Sequence, residues 1–99
     1  MDLGIKGKVA VITGGDMGGM GHATAKILAA EGAKIAIIDQ TQEPLDKAVE
    51  EVRKIGEAIG VTADLTKLDQ IEAAKKKILD HYGETHILVN AAGITGATK

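Results

Sequence analysis

The sequence predicts an α/β fold, a parallel sheet with helices on both faces, and three observations carry that expectation. Short runs of Val, Ile, Leu and Ala alternate with longer segments in which apolar residues recur every three or four positions. The first of these runs, Val9-Ala10-Val11-Ile12, is apolar throughout rather than at every second residue, as suits a strand covered on both sides. The connections are short, and strands alternating with helices through short loops make a parallel sheet. With right-handed crossovers the natural strand order is 3-2-1-4.

The first strand is expected over 8–13, around Val9-Ala10-Val11-Ile12. It runs into Gly14-Gly15-Asp16-Met17-Gly18-Gly19-Met20-Gly21, where five of eight residues are glycine. Such a segment allows positive φ and a close backbone approach to a ligand. A helix follows over about 20–31, with Ala23, Ile27 and Ala30 on its expected inner face and Gly32 closing it. The second strand is Lys34–Asp39. The second helix is expected to begin near Glu43-Pro44, because proline fits a first helical turn. Leu45, Ala48, Val49, Val52 and Ile55 keep its apolar rhythm.

The third strand is short, Ala58–Thr62. Thr66 then reads as a helix N-cap, with Asp69 three residues on in a position like that of a capping box. The third helix turns Ile71, Ala74, Ile78 and Tyr82 inward and stops at Gly83. The fourth strand is Ile87-Leu88-Val89, ending at Asn90.

Composition bounds the function. The chain has 99 residues, enough for one domain over 1–99 with a real core but not for two. A net charge of −2 leaves no basic excess for nucleic acid or an anionic membrane surface. No apolar run exceeds four residues, so neither a membrane span nor a signal-peptide core is expected, and a cytoplasmic location is the default. The absence of cysteine excludes disulfides and thiolate metal sites. The absence of serine excludes a serine nucleophile. His22, His81 and His86 come from different elements without metal-ligand spacing, so no metal is expected. Tyr82 is the sole aromatic residue, and the core must be built from Ile, Val, Leu and Ala.

The glycine-rich turn is the first candidate site. A helix beginning there directs unpaired N–H groups and the positive end of its dipole at one spot, an anion site suited to the pyrophosphate of a dinucleotide. The spacing G-x-G-x-x-G is absent; Gly15, Gly19 and Gly21 instead give G-x-x-x-G-x-G. Such a turn also serves as a plain strand–helix connection.

Asp39, at the end of the second strand, is placed to accept hydrogen bonds from ribose hydroxyls. It would repel the 2′-phosphate of NADP, and Gln40 and Thr41 supply no compensating cation. The alternative is a solvated acid at a strand end. Asp64 follows the third strand at the same rim, either to accept from an adenine amino group or merely to begin the turn into Thr66. Asn90-Ala91-Ala92-Gly93 brings small residues to the end of the fourth strand, where a flat ligand can pass. A strand terminus with a glycine turn would look the same.

Thr13-Gly14, Gly19-Met20-Gly21, Asp39, Asp64-Leu65 and Ile87-Leu88-Val89-Asn90-Ala91-Ala92-Gly93-Ile94 together resemble the short-chain dehydrogenase/reductase family. The resemblance spans essentially this whole chain but only the opening portion of a typical member. It implies a Rossmann-type domain with NAD held by Gly15, Gly19, Met20, Gly21, Asp39, Asp64, Leu65, Asn90, Ala92 and Gly93. Three departures stand out. The phosphate loop is one residue longer than the family's T-G-x-x-x-G-x-G, with Asp16 inside it. Asn-Asn-Ala-Gly is here Asn90-Ala91-Ala92-Gly93. His86 replaces the Asp that the family carries before the fourth strand, which is a scaffold position.

The family's catalytic Ser and Tyr-x-x-x-Lys are not found. Tyr82 is followed four residues later by His86 and belongs to a core face. The expectation is therefore the NAD(H)-binding portion of such an oxidoreductase, truncated, with no catalytic residue of its own. Its partners would be the dinucleotide and either a missing C-terminal half or a second copy in a homo-oligomer. The alternatives are a free-standing nucleotide-binding protein and a non-catalytic interaction subunit.

Overall fold

The computed structural model describes residues 4–13 and 20–90. Its elements are β1 (Val9–Thr13), α1 (Met20–Ala30), β2 (Lys34–Asp39), α2 (Gln42–Arg53), β3 (Ala58–Thr62), α3 (Leu68–Tyr82) and β4 (Ile87–Asn90). The four strands form one parallel sheet in the order β3-β2-β1-β4, as the sequence predicts. This is a Rossmann-type arrangement.

Strand alternation divides the apolar runs between two layers. Ala10 and Ile12 of β1, Ile35 and Ile37 of β2, and Ala58 of β3 face α1 and α2. Val9, Val11, Ala36 and Ile38 face α3 through Ala74 and Ile78. Each central strand is thus buried on both faces, which is why its sequence is apolar without interruption.

α2 lays Leu45, Ala48, Val49 and Val52 on the sheet, as its periodicity indicates. Ile55 does not join them. The helix ends at Arg53, and Ile55 lies past its last turn, 43% exposed. β3 accepts α2 closely because it carries Gly60. A Cβ there would stand 2.7 Å from Val49 Cγ2 and 3.0 Å from Leu45 Cγ.

α1 is rotated from the face expected of it. Gly21, His22, Ala25 and Ala29 are buried, whereas Ala23 and Ala30 are exposed and Ile27 is 61% exposed. The stripe Gly21, Ala25, Ala29 presents almost no side chain, so the helix backbone settles close to the sheet. Ile27 in that layer would hold it away. Shape complementarity has overridden the hydrophobicity of one residue.

The start of α3 also differs. The helix begins at Leu68 with Lys67 as its cap residue, and no side chain caps it. Thr66 instead donates both its N–H and its hydroxyl to Asp64, so it belongs to the preceding turn. The far ends follow expectation: Gly32 (φ 93°) and Gly83 (φ 86°) terminate α1 and α3 in the left-handed conformation that glycine adopts without strain.

β4 is fastened to β1 at its entrance by His86. The ring Nδ1 accepts the Val9 N–H at 3.0 Å, and the His86 N–H donates to the Val9 carbonyl at 2.9 Å. Nε2 is thereby left to carry the ring hydrogen, and it lies 3.1 Å from Glu84 Oε1. This accords with a scaffold role for His86.

Candidate functional site

All strands run the same way, so their carboxyl ends form one rim carrying Thr13, Asp39, Thr62 and Asn90. β1 lies between β2 and β4, and its in-register partners at the rim are Ile38 and Asn90. Chain order reverses at β1, which is where ligands enter open parallel sheets. Thr13 donates its hydroxyl to the Val89 carbonyl at 3.4 Å, tying these two strand ends together.

Asp39 and Thr62 are register partners at the ends of β2 and β3. The Asp39 carbonyl accepts the Ala63 N–H at 2.9 Å, carrying the ladder one residue beyond the strands. The Asp39 carboxylate is held at the rim by the Gln40 N–H, which donates to Oδ1 at 2.7 Å. Beside it lies an open polar depression of about 440 Å³, lined by Gln40, Thr41, Thr62, Ala63, Asp64 and Gln70.

Asp64 is the most constrained acid of the rim. Its Oδ1 accepts the Thr66 N–H at 2.9 Å and the Thr66 hydroxyl at 2.6 Å. Those two donors, the hydroxyl first, hold its carboxyl below the usual carboxylate range. Its own N–H donates to Gln70 Oε1 at 2.7 Å. The turn into Thr66 and a place in the depression are thus both true of Asp64. Leu65, next along, is half-buried against the core on the α3 side.

Of the other residues expected at the site, Gly21 is buried in the first turn of α1 and Met20 is the first residue of that helix. Asn90 closes β4 opposite Thr13. Gly15, Gly19, Ala92 and Gly93 lie outside the described residues. Sequence reasoning missed Gln70 and Thr62. Gln70 was legible in principle: a glutamine in the first turn of a helix reaches back to an upstream N–H, as in a capping box. His22 was set aside for lack of metal spacing, yet it is 8% exposed and its Nδ1 has no hydrogen-bond partner among the described residues.

Tyr82 stands at the opposite end of the sheet. Its hydroxyl donates to the carbonyl of Ile35, near the start of β2, at 3.2 Å. Burial pushes its pKa up to about 12, with Glu57 adding to the rise and Arg53 opposing it. A phenol this reluctant to ionise, remote from the rim, is a packing residue. Among the described residues, no group of three or more His, Asp or Glu is arranged to hold a metal ion. None of their helices is long and apolar enough to cross a membrane.

Similarity to known proteins agrees with this geometry. An uncharacterized oxidoreductase, YvrD, of Bacillus subtilis is 39% identical over 93 residues, covering 94% of this chain and 35% of that protein. The 3-oxoacyl-[acyl-carrier-protein] reductase FabG of Thermotoga maritima is 38% identical over 92 residues, covering 92% of this chain and 37% of its own. The chain therefore spans little more than a third of the length of these curated relatives. The crystal structure of an NAD+-bound xylitol dehydrogenase superposes with a TM-score of 0.81 at 34% identity, covering 85% of this chain and 32% of that one. Residues 8–99 match the family model for short chain dehydrogenases, and the rim of β-strand ends described above sits within that match: the chain belongs to the short-chain dehydrogenase family.

Proposed function

We propose that this chain forms the NAD(H)-binding portion of an oxidoreductase that transfers hydride between NAD and an alcohol or carbonyl substrate. The acid–base groups of the reaction lie outside it. NAD, when bound, supplies the hydride acceptor, or in its reduced form the donor. The observation that carries the reading is the pairing of Asp39, at the end of β2, with the polar depression beside it. Its donors and acceptors suit the adenosine half of a dinucleotide. Support also comes from the family and from the NAD+-bound state of the xylitol dehydrogenase.

The expected site residues divide the cofactor among them in that reading. Asp39 accepts from the ribose hydroxyls, and with Gln40 and Thr41 as neighbours no cation is offered to a 2′-phosphate. Asp64 accepts from the adenine amino group, and Leu65 packs below it. Gly15, Gly19, Met20 and Gly21 line the pyrophosphate, where the N-terminus of α1 stabilises negative charge. Asn90, Ala92 and Gly93 admit the rest of the cofactor at the β1–β4 switch point. Tyr82 takes no part.

The test is direct binding of NADH to the chain and to Asp39→Ala. Hydrogen bonds to a charged acceptor contribute about 1.5–3 kcal/mol each, so the substitution should weaken NADH roughly 10- to 100-fold. Undiminished affinity would remove Asp39 from the site.

A further inference from the structure

The geometry points to Gln70 as a positioning residue for purine recognition, acting through Asp64. This rests on the proposed binding of NAD(H).

Asp64 is where the backbone leaves the sheet. Ala63, just before it, is buried, and its N–H is bonded to Asp39. Asp64 has no strand opposite it, because the β2–β3 register ends at Asp39 and Thr62. Gln70, in the first turn of α3, takes over that role: its Oε1 accepts the Asp64 N–H at 2.7 Å. On the other side, Thr66 holds Oδ1 through two donors. The Asp64 backbone and one carboxylate oxygen are thereby set from opposite directions, and Oδ2 is the oxygen these bonds leave over.

Gln70 is exposed and belongs to neither core layer, yet it lines the depression with Asp64. A residue in that position contributes little to folding. What it does supply is a carboxylate already in place before a ligand arrives, which spares the ordering cost of binding. The ligand feature read by a fixed acceptor at this point is a donor on the ring edge, such as the exocyclic amino group of adenine.

The test compares NADH with reduced nicotinamide hypoxanthine dinucleotide, in which an oxo group replaces that amino group. Both are titrated against the 99-residue chain and its Gln70→Ala and Gln70→Glu variants. The wild-type chain should favour NADH. Gln70→Ala should reduce that preference about two- to tenfold while leaving the unfolding midpoint nearly unchanged. Gln70→Glu, which keeps the acceptor, should retain it. Amide exchange at Asp64 should quicken in Gln70→Ala and not in Gln70→Glu.

A wild-type chain that binds NADH but shows the same base preference in Gln70→Ala would overturn the role of Gln70 alone. Unchanged exchange at Asp64 would do so without any ligand. A wild-type chain that binds neither dinucleotide would overturn the cofactor reading and this role with it.

Discussion

In the proposed site, single residues at strand ends would carry most of the recognition, and some were visible in the sequence. Asp39 and Asp64 were legible because each is a lone acid closing an apolar run. Gln70 was harder to read: its place in a first helical turn hints at a bond reaching back to an upstream N–H, but that partner, on Asp64, lies across a turn whose shape no periodicity reports. Tyr82 was legible as core from its helical spacing, and its environment gives a measurable consequence. An unfolded phenol ionises near 10, whereas this one is pushed up to about 12. Its contribution to stability is complete below the lower value and is lost as pH rises through the higher one. With no other tyrosine and no tryptophan, phenolate absorbance reports Tyr82 alone. The folded chain should titrate well above the same chain in denaturant. Coincident curves would place the hydroxyl in water rather than against Ile35.

At the level of elements, the sheet was the easiest part to read. β2 and β3 match their expected bounds, because β2 is an uninterrupted apolar run buried on both faces and β3, only partly buried, is a short run fenced by turn residues. Helix faces were harder. α2 was legible from large apolar residues, but α1 packs through Gly21, Ala25 and Ala29, whose small size rather than hydrophobicity selects the face. The start of α3 was misread because Thr66 has two competing uses, capping a helix or closing the Asp64 turn, and the turn takes both of its donors. The contact between α2 and β3 gives a sharp test. Gly60→Ala would place a Cβ 2.7 Å from Val49 Cγ2, and valine has few rotamers with which to yield. Overpacking of this kind costs about 1–3 kcal/mol. Urea unfolding should show a lowered midpoint with an unchanged slope; a midpoint equal to wild type would mean that α2 rides higher on the sheet than described.

At the scale of the whole molecule, the β4 side of the sheet is less covered than the rest among the described residues. Among the described residues β4 pairs only with β1, and Leu88 on it is 60% exposed. An apolar edge strand of this kind invites pairing with another chain. The isolated 99-residue chain is therefore expected to associate, most simply as a homodimer. Sedimentation across a dilution series checks this, and a folded monomer at micromolar concentration would contradict it. The proposed cofactor site lies at the opposite end of the strands from the His86 clasp and from Tyr82, so binding at the rim can be measured apart from these features. The decisive experiment is to titrate the chain with NADH and NADPH side by side under identical salt. With Asp39 closing β2 and only Gln40 and Thr41 following it, NADH should bind and NADPH should bind distinctly more weakly. Equal affinity for the two, or no affinity for either, would contradict a dinucleotide site built on Asp39.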